Sequence, residues 1–158
     1  MEAKNFSDLA KGVVMGTRLR AMMINSLVDA CQDLGIDIEM LADKCFYLSG
    51  ARESMGVPGD NPDDFIRFMT AENTNFEVFQ KEVVQLDADH SIARFHNCPL
   101  YTAWKNAGLP MERISYLCDL ASRADQGRAS NFKNVTLTFP KRLAKGDDYC
   151  ELDARRKE

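Results

Sequence analysis

Around Asn73-Thr74-Asn75 the spacing of apolar residues changes period, and this change constrains the fold more than any other feature of the chain. Before it, apolar positions recur three or four residues apart, the repeat of one helix face. After it, Asn134-Val135-Thr136-Leu137-Thr138-Phe139 alternates strictly, with Val135, Leu137 and Phe139 on one side and the threonines on the other. That alternation predicts a half-buried antiparallel strand. Helices followed by hairpin strands predict an α+β fold, N-terminal helices packed on a C-terminal antiparallel sheet with inserted helices. At 158 residues the chain has the size of one domain, expected to be helical over about 7–72 and strand-rich over about 76–156.

The first helix is expected from Asp8 to Leu34, capped by Ser7-Asp8 and stopped by Gly35. Its buried stripe is read as Leu9, Val13, Met15, Leu19, Met22, Met23, Leu27, Val28 and Cys31. Gly12 and Gly16, one turn apart, either admit a second backbone or only weaken the helix. A second helix is expected from Asp37 to about Met55, burying Ile38, Leu41, Ala42, Cys45, Phe46 and Leu48. Asn61-Pro62-Asp63-Asp64 caps a third, through about Glu72. Strands are expected at Glu77–Leu86 and Ser91–Asn97 around an Asp87–His90 turn, with at least three antiparallel strands after residue 75. Helices should follow at Pro99–Ala107 and Met111–Asp125, then a polar loop over 126–130. The last strand is expected from Asp148 to Arg155, with Cys150, Leu152 and Ala154 inward.

Composition excludes several functions. A net charge of −4 without a face-sized basic cluster argues against nucleic acid as a partner. Apolar stretches are broken by charges every few residues, and the chain opens Met1-Glu2-Ala3-Lys4, so neither a membrane partner nor a leader is expected. Five cysteines with no CxxC pair fit free thiols in a reducing, cytoplasmic setting. The expected partner is a small-molecule ligand or substrate, with a homodimer left open.

Three late cysteines carry the most function-like chemistry. Cys98 precedes Pro99, where it would cap a helix and meet free N–H groups that favour a thiolate. The alternative is a buried small hydrophobe. Cys118 shares an inward helix face with Ile114, Leu117 and Ala121, and Asp119 lies at the edge of that face. Cys150 follows the Lys145-Gly146-Asp147-Asp148 turn, whose carboxylates either hold a polar group or face solvent. Strand alternation puts His96 on the same side as Cys98, a nucleophile–base arrangement if the two meet. Cys98, Cys118 and Cys150 with a His or Asp could also hold a zinc-like metal, although no metal-ligand spacing signature is present.

The stretches Asn97-Cys98-Pro99-Leu100-Tyr101, Gly108-Leu109-Pro110, Cys118-Asp119 and Leu143-Ala144-Lys145-Gly146-Asp147-Asp148-Tyr149-Cys150-Glu151 resemble the L-2-amino-thiazoline-4-carboxylic acid hydrolase family. The resemblance implies a hydrolase that adds water to a cyclic amidine between sulfur and nitrogen. On that reading Cys98, Cys118, Asp119, Asp148 and Cys150 are catalytic candidates, and His96, Asn97 and Lys145 substrate-binding ones. The chain departs from the family pattern after Cys118-Asp119, where Arg123-Ala124-Asp125-Gln126-Gly127-Arg128 is unusually polar. The second class left open is a non-catalytic sensor binding a metal or small molecule through the same thiols.

Overall fold

The computed structural model describes residues 7–71 and 74–158. The first helix, α1 (Asp8–Leu34), begins where Ser7 Oγ accepts the N–H of Ala10 at 3.2 Å. It ends where Gly35 takes the left-handed conformation, φ +65°. Then come α2 (Ile38–Ala42), a π-helical segment (Asp43–Tyr47), α3 (Leu48–Glu53), α4 (Pro62–Met69) and α5 (Thr74–Phe79). The hairpin β1 (Lys81–Gln85) and β2 (His90–Phe95) leads to α6 (Pro99–Asn106), α7 (Met111–Ala121) and α8 (Arg123–Ala129). The chain closes with β3 (Val135–Thr138), a 3₁₀ turn (Leu143–Lys145) and β4 (Cys150–Arg156).

The four strands form one antiparallel sheet in the order β1-β2-β4-β3. Its register sets Cys150 opposite Phe95 and Leu152 opposite Ala93. The fold is thus the expected α+β arrangement of helices first and antiparallel strands later. Buried side chains gather in two clusters. One joins α1, α6 and α7 through Ala21, Ile24, Val28, Trp104, Ile114 and Leu117. The other joins α4 to the sheet through Phe65, Ile66, Met69, Phe132, Leu137 and Leu152.

Several expectations are corrected. The large apolar residues of α1 mostly face outward: Met15, Leu19, Met22 and Met23 are exposed, while Ala10, Thr17, Ala21, Ile24, Val28 and Cys31 are buried. Small residues win because α6 lies so close that Trp104 Nε1 donates to the Ala21 carbonyl at 2.8 Å. The second helix is interrupted by the π-helical segment, which leaves Cys45 and Leu48 exposed. α4 stops at Met69, and Glu72 lies outside the described residues. Residues expected to open the first strand form α5 instead, and Gln80, at φ +49°, separates it from β1.

Residues 126–130, expected as loop, belong mainly to α8. Gly127 is there because a Cβ would lie 1.9 Å from the Tyr47 carbonyl oxygen. Its partner is Gly50, whose Cβ would lie 1.8 Å from the Ala124 oxygen. Replacing Trp104 by Phe removes the indole donor and some packed volume, an expected loss of about 1–2 kcal/mol. Thermal unfolding should shift down by roughly 2–8 °C.

Candidate functional site

Where the two buried clusters meet, the fold encloses a cavity of about 470 Å³, within the usual range for small-molecule sites. Its walls are largely apolar, with Ile24 and Trp104 from the helical side and Met69 and Leu152 from the sheet side. Phe46 reaches it from the π-helical segment, and Phe95 and Phe139 reach it from the strand side.

Cys98, Cys118 and Cys150 all line this one cavity. Their spacing in sequence is closed by topology: β2 delivers Cys98 to the start of α6, α7 supplies Cys118, and β4 returns beside β2 with Cys150. Cys150 Sγ accepts the N–H of Leu143 at 3.4 Å. Arg142, on the loop after β3, stacks its guanidinium 4.5 Å from the Phe139 ring centre. From there it also interacts with Cys118.

The thiolate expectation at Cys98 is overturned. Cys98 does cap α6, and the backbone N–H groups of Tyr101 and Leu100 favour charge on its sulfur. Burial outweighs them and pushes the thiol up to about 12. Burial likewise raises Cys118 to about 11, against the opposing pull of Arg142, and raises Cys150. At neutral pH all three are protonated, apolar wall groups. Iodoacetamide at pH 8 is therefore expected to label exposed Cys45 before Cys98, measured by peptide mass spectrometry. Labelling of Cys98 first would restore the helix-dipole expectation.

The other sequence candidates sit elsewhere. Asp119 is not on the cavity wall, and its carboxylate is held by Arg142 at 2.6 Å and Lys145 at 3.5 Å. His96 is paired with Glu82 at 2.7 Å instead of meeting Cys98. Asn97 donates to the Val78 carbonyl at 2.7 Å, a strand-end contact. Asp148 is exposed, while its neighbour Asp147 accepts the Arg142 N–H at 2.7 Å and shapes the turn. Among the described residues no group of three or more His, Cys, Asp and Glu side chains is arranged to hold a metal ion. The expected tetrahedral site fails because His96 and Asp119 are engaged by other partners, and an arginine stands beside Cys118.

A charged group missed in the sequence occupies the cavity instead. Asp125 and Arg128 of α8 pair at 2.6 Å, and Arg128 also reaches Glu53 of α3 at 2.5 Å. All three line the cavity, as do Arg20 of α1 and Lys81 of β1. Burial raises the Asp125 carboxyl above the usual aspartate range even with Arg128 beside it. Lys81 donates to the Met69 carbonyl at 2.6 Å and lies 5.2 Å from the Phe95 ring centre. Burial, then the charge of Arg128, lowers its amine to about 8. Helical spacing of Asp125 and Arg128 was the available signal, hidden by reading Gly127 as a loop residue.

The L-2-amino-thiazoline-4-carboxylic acid hydrolase family model matches residues 18–153, spanning α1 through β4. The chain belongs to this family. The thiazoline carboxylate hydrolase match thus takes in all three cavity cysteines and the Asp125–Arg128 pair. Among curated proteins none matches. A solved structure similar in fold is trafficking protein particle complex subunit 3 from Naegleria fowleri, covalently bound to palmitic acid. It aligns with a TM-score of 0.59 and 20% identity, over 91% of this chain and 96% of that one. No helix among the described residues of this hydrolase-family member is long and apolar enough to cross a membrane.

Proposed function

We propose that the cavity is the active site of a hydrolase that opens a small cyclic amidine bearing a carboxylate. The observation that carries this reading is the convergence of a buried carboxylate, guanidinium groups and three thiols on one enclosed, largely apolar space. An amidine is cationic and complements Asp125; a carboxylate complements Arg20, Arg128 or Lys81. Family membership supports the same substrate type.

In this reading Asp125 takes a proton from water as the oxygen adds to the carbon between sulfur and nitrogen. The tetrahedral adduct then collapses with cleavage of the ring C–N bond. The proton taken by Asp125 passes to the departing nitrogen, so one water is consumed and one carbamoyl thioester is formed. The protonated thiols of Cys98, Cys118 and Cys150 supply a polarizable wall and weak S–H donors to the adduct. Asp119 acts through Arg142, holding the guanidinium near Cys118, and is a positioning residue.

Purified protein incubated with 2-amino-thiazoline-4-carboxylate should yield a product heavier by one water, read by mass spectrometry. Saturable binding without ring opening would make the cavity that of a non-catalytic sensor and end the hydrolase reading.

A second reading is favoured by one specific observation. Cys98 stands on the wall of a cavity that is larger than a single-ring amidine needs, in a fold whose structural neighbour is covalently bound to palmitic acid. Here the cavity would hold a fatty acyl chain as a thioester on Cys98. Intact-mass measurement would then show an acyl adduct that hydroxylamine removes and Cys98→Ser lacks.

A further inference from the structure

The inner face of α1 is made of small residues, and its outer face is made of large ones. Leu9, Met15, Leu19, Met22, Met23 and Leu27 are all exposed, Met23 at 72% and Leu19 at 59%. Ordinary soluble surfaces scatter such residues singly; here they form one stripe along the whole helix. Gly12, Gly16, Ser26 and Ala30 lie within or beside the same stripe. A Cβ at Gly12 or Gly16 would meet nothing within 4 Å, so neither glycine is explained by packing within the chain.

The stripe is self-complementary about its midpoint. When α1 is laid antiparallel on a copy of itself with Met23 opposite Met23, Leu19 falls opposite Leu27 and Gly16 opposite Ala30. Leu34, also exposed, falls opposite Gly12, a large side chain against an empty position. Charges along one edge follow the same symmetry. Lys11 and Arg18 lie in the first half, and Asp29 and Asp33 in the second, all exposed and within about 60° of one another around the helix. A two-fold axis perpendicular to the helices keeps that edge on the same side. The basic half of one copy therefore meets the acidic half of the other. A parallel pairing would instead set like charges side by side.

From this patterning we propose that α1 is the isologous interface of a homodimer, paired antiparallel across a two-fold axis at Met23. The helix is about 40 Å long and 10–12 Å wide, so the pair covers on the order of 900 Å² in total. Ile36 and Met40, exposed just beyond α1, extend the patch. Together they bring it to the roughly 1,000 Å² expected of a specific contact. This proposal stands independently of the chemistry assigned to the cavity.

Sedimentation and cysteine cross-linking test it. The full chain is expected to sediment as a dimer at micromolar concentration, and Met23→Lys as a folded monomer with an unchanged circular dichroism spectrum. In a Cys45→Ser background, Met23→Cys should form an intermolecular disulfide under mild oxidation. Leu9→Cys should not, because its two copies would lie about 40 Å apart. Equal cross-linking at Leu9 would show parallel helices and overturn the proposal. So would a monomeric wild type, including one that binds lipid vesicles through this face, or a Met23→Lys protein that stays dimeric.

Discussion

Gly127→Ala is expected to lower the melting temperature by roughly 6–12 °C, a loss of about 3 kcal/mol or more. The new Cβ would stand 1.9 Å from the Tyr47 carbonyl oxygen, which belongs to a helical backbone and cannot rotate aside. α3 and α8 would have to part by about 1 Å, and a close-packed crossing has no slack to absorb that. Parting also loosens the contacts that bridge the two helices. Ser54 Oγ donates to the Arg128 carbonyl at 2.9 Å, and Arg128 Nε donates to Glu53 at 3.0 Å. Gly50→Ala should behave alike, since its Cβ meets the Ala124 oxygen at 1.8 Å. Because the crossing holds Glu53 and Arg128 on the cavity wall, ligand affinity should fall with stability. An unchanged melting temperature in both variants, measured by calorimetry, would show that the crossing tolerates a methyl group.

The second large effect concerns rate. Asp125→Asn is expected to reduce kcat for amidine ring opening by about 10²–10⁴-fold, the usual worth of a positioned general base. Asp148→Asn, at an exposed turn, should leave the rate near wild type. The pH profile carries the sign. Burial raises the Asp125 carboxyl, and a protonated carboxyl cannot accept a proton from water. Activity should therefore fall on the acid side at a pH above the ordinary aspartate range, and the limb should vanish in Asp125→Asn. A wild-type rate in Asp125→Asn would leave the carboxylate a partner of Arg128 and nothing more.

Much of the fold was legible because the relevant physics is local. Ser7 and Gly35 bound α1 as their chemistry requires, and Val135, Leu137 and Thr136 alternate as a one-sided strand must. Alternation also placed Cys150 correctly toward the interior. What stayed hidden depended on contacts between distant segments. Periodicity located an apolar stripe on α1 but not which stripe would be buried; the close approach of Trp104 decided that. Gly127 resembles a turn residue until Tyr47 is brought against it. At Cys98 the cap geometry was read correctly, yet burial, which no local pattern reveals, governs the thiol. The carboxylate that reaches the cavity, Asp125, was passed over for Asp119 and Asp148, which lie in the more conspicuous motifs.

The π-helical segment Asp43–Tyr47 has a bearing on which lengths of chain this fold can accept. A π turn is an α-helical turn carrying one extra residue. Deleting any one of those five residues would regularise the helix and look harmless in sequence. It would also rotate everything downstream by about 100°. Gly50 would swing off the Ala124 backbone, and a side-chain-bearing neighbour would take its place. Phe46 would lose its aim into the cavity. The added residue thus works as a phase shift, setting two glycines and one phenylalanine at the angles their separate tasks demand. Insertions and deletions should be tolerated in the Gly56–Asp60 turn, where no such angular relation has to be kept.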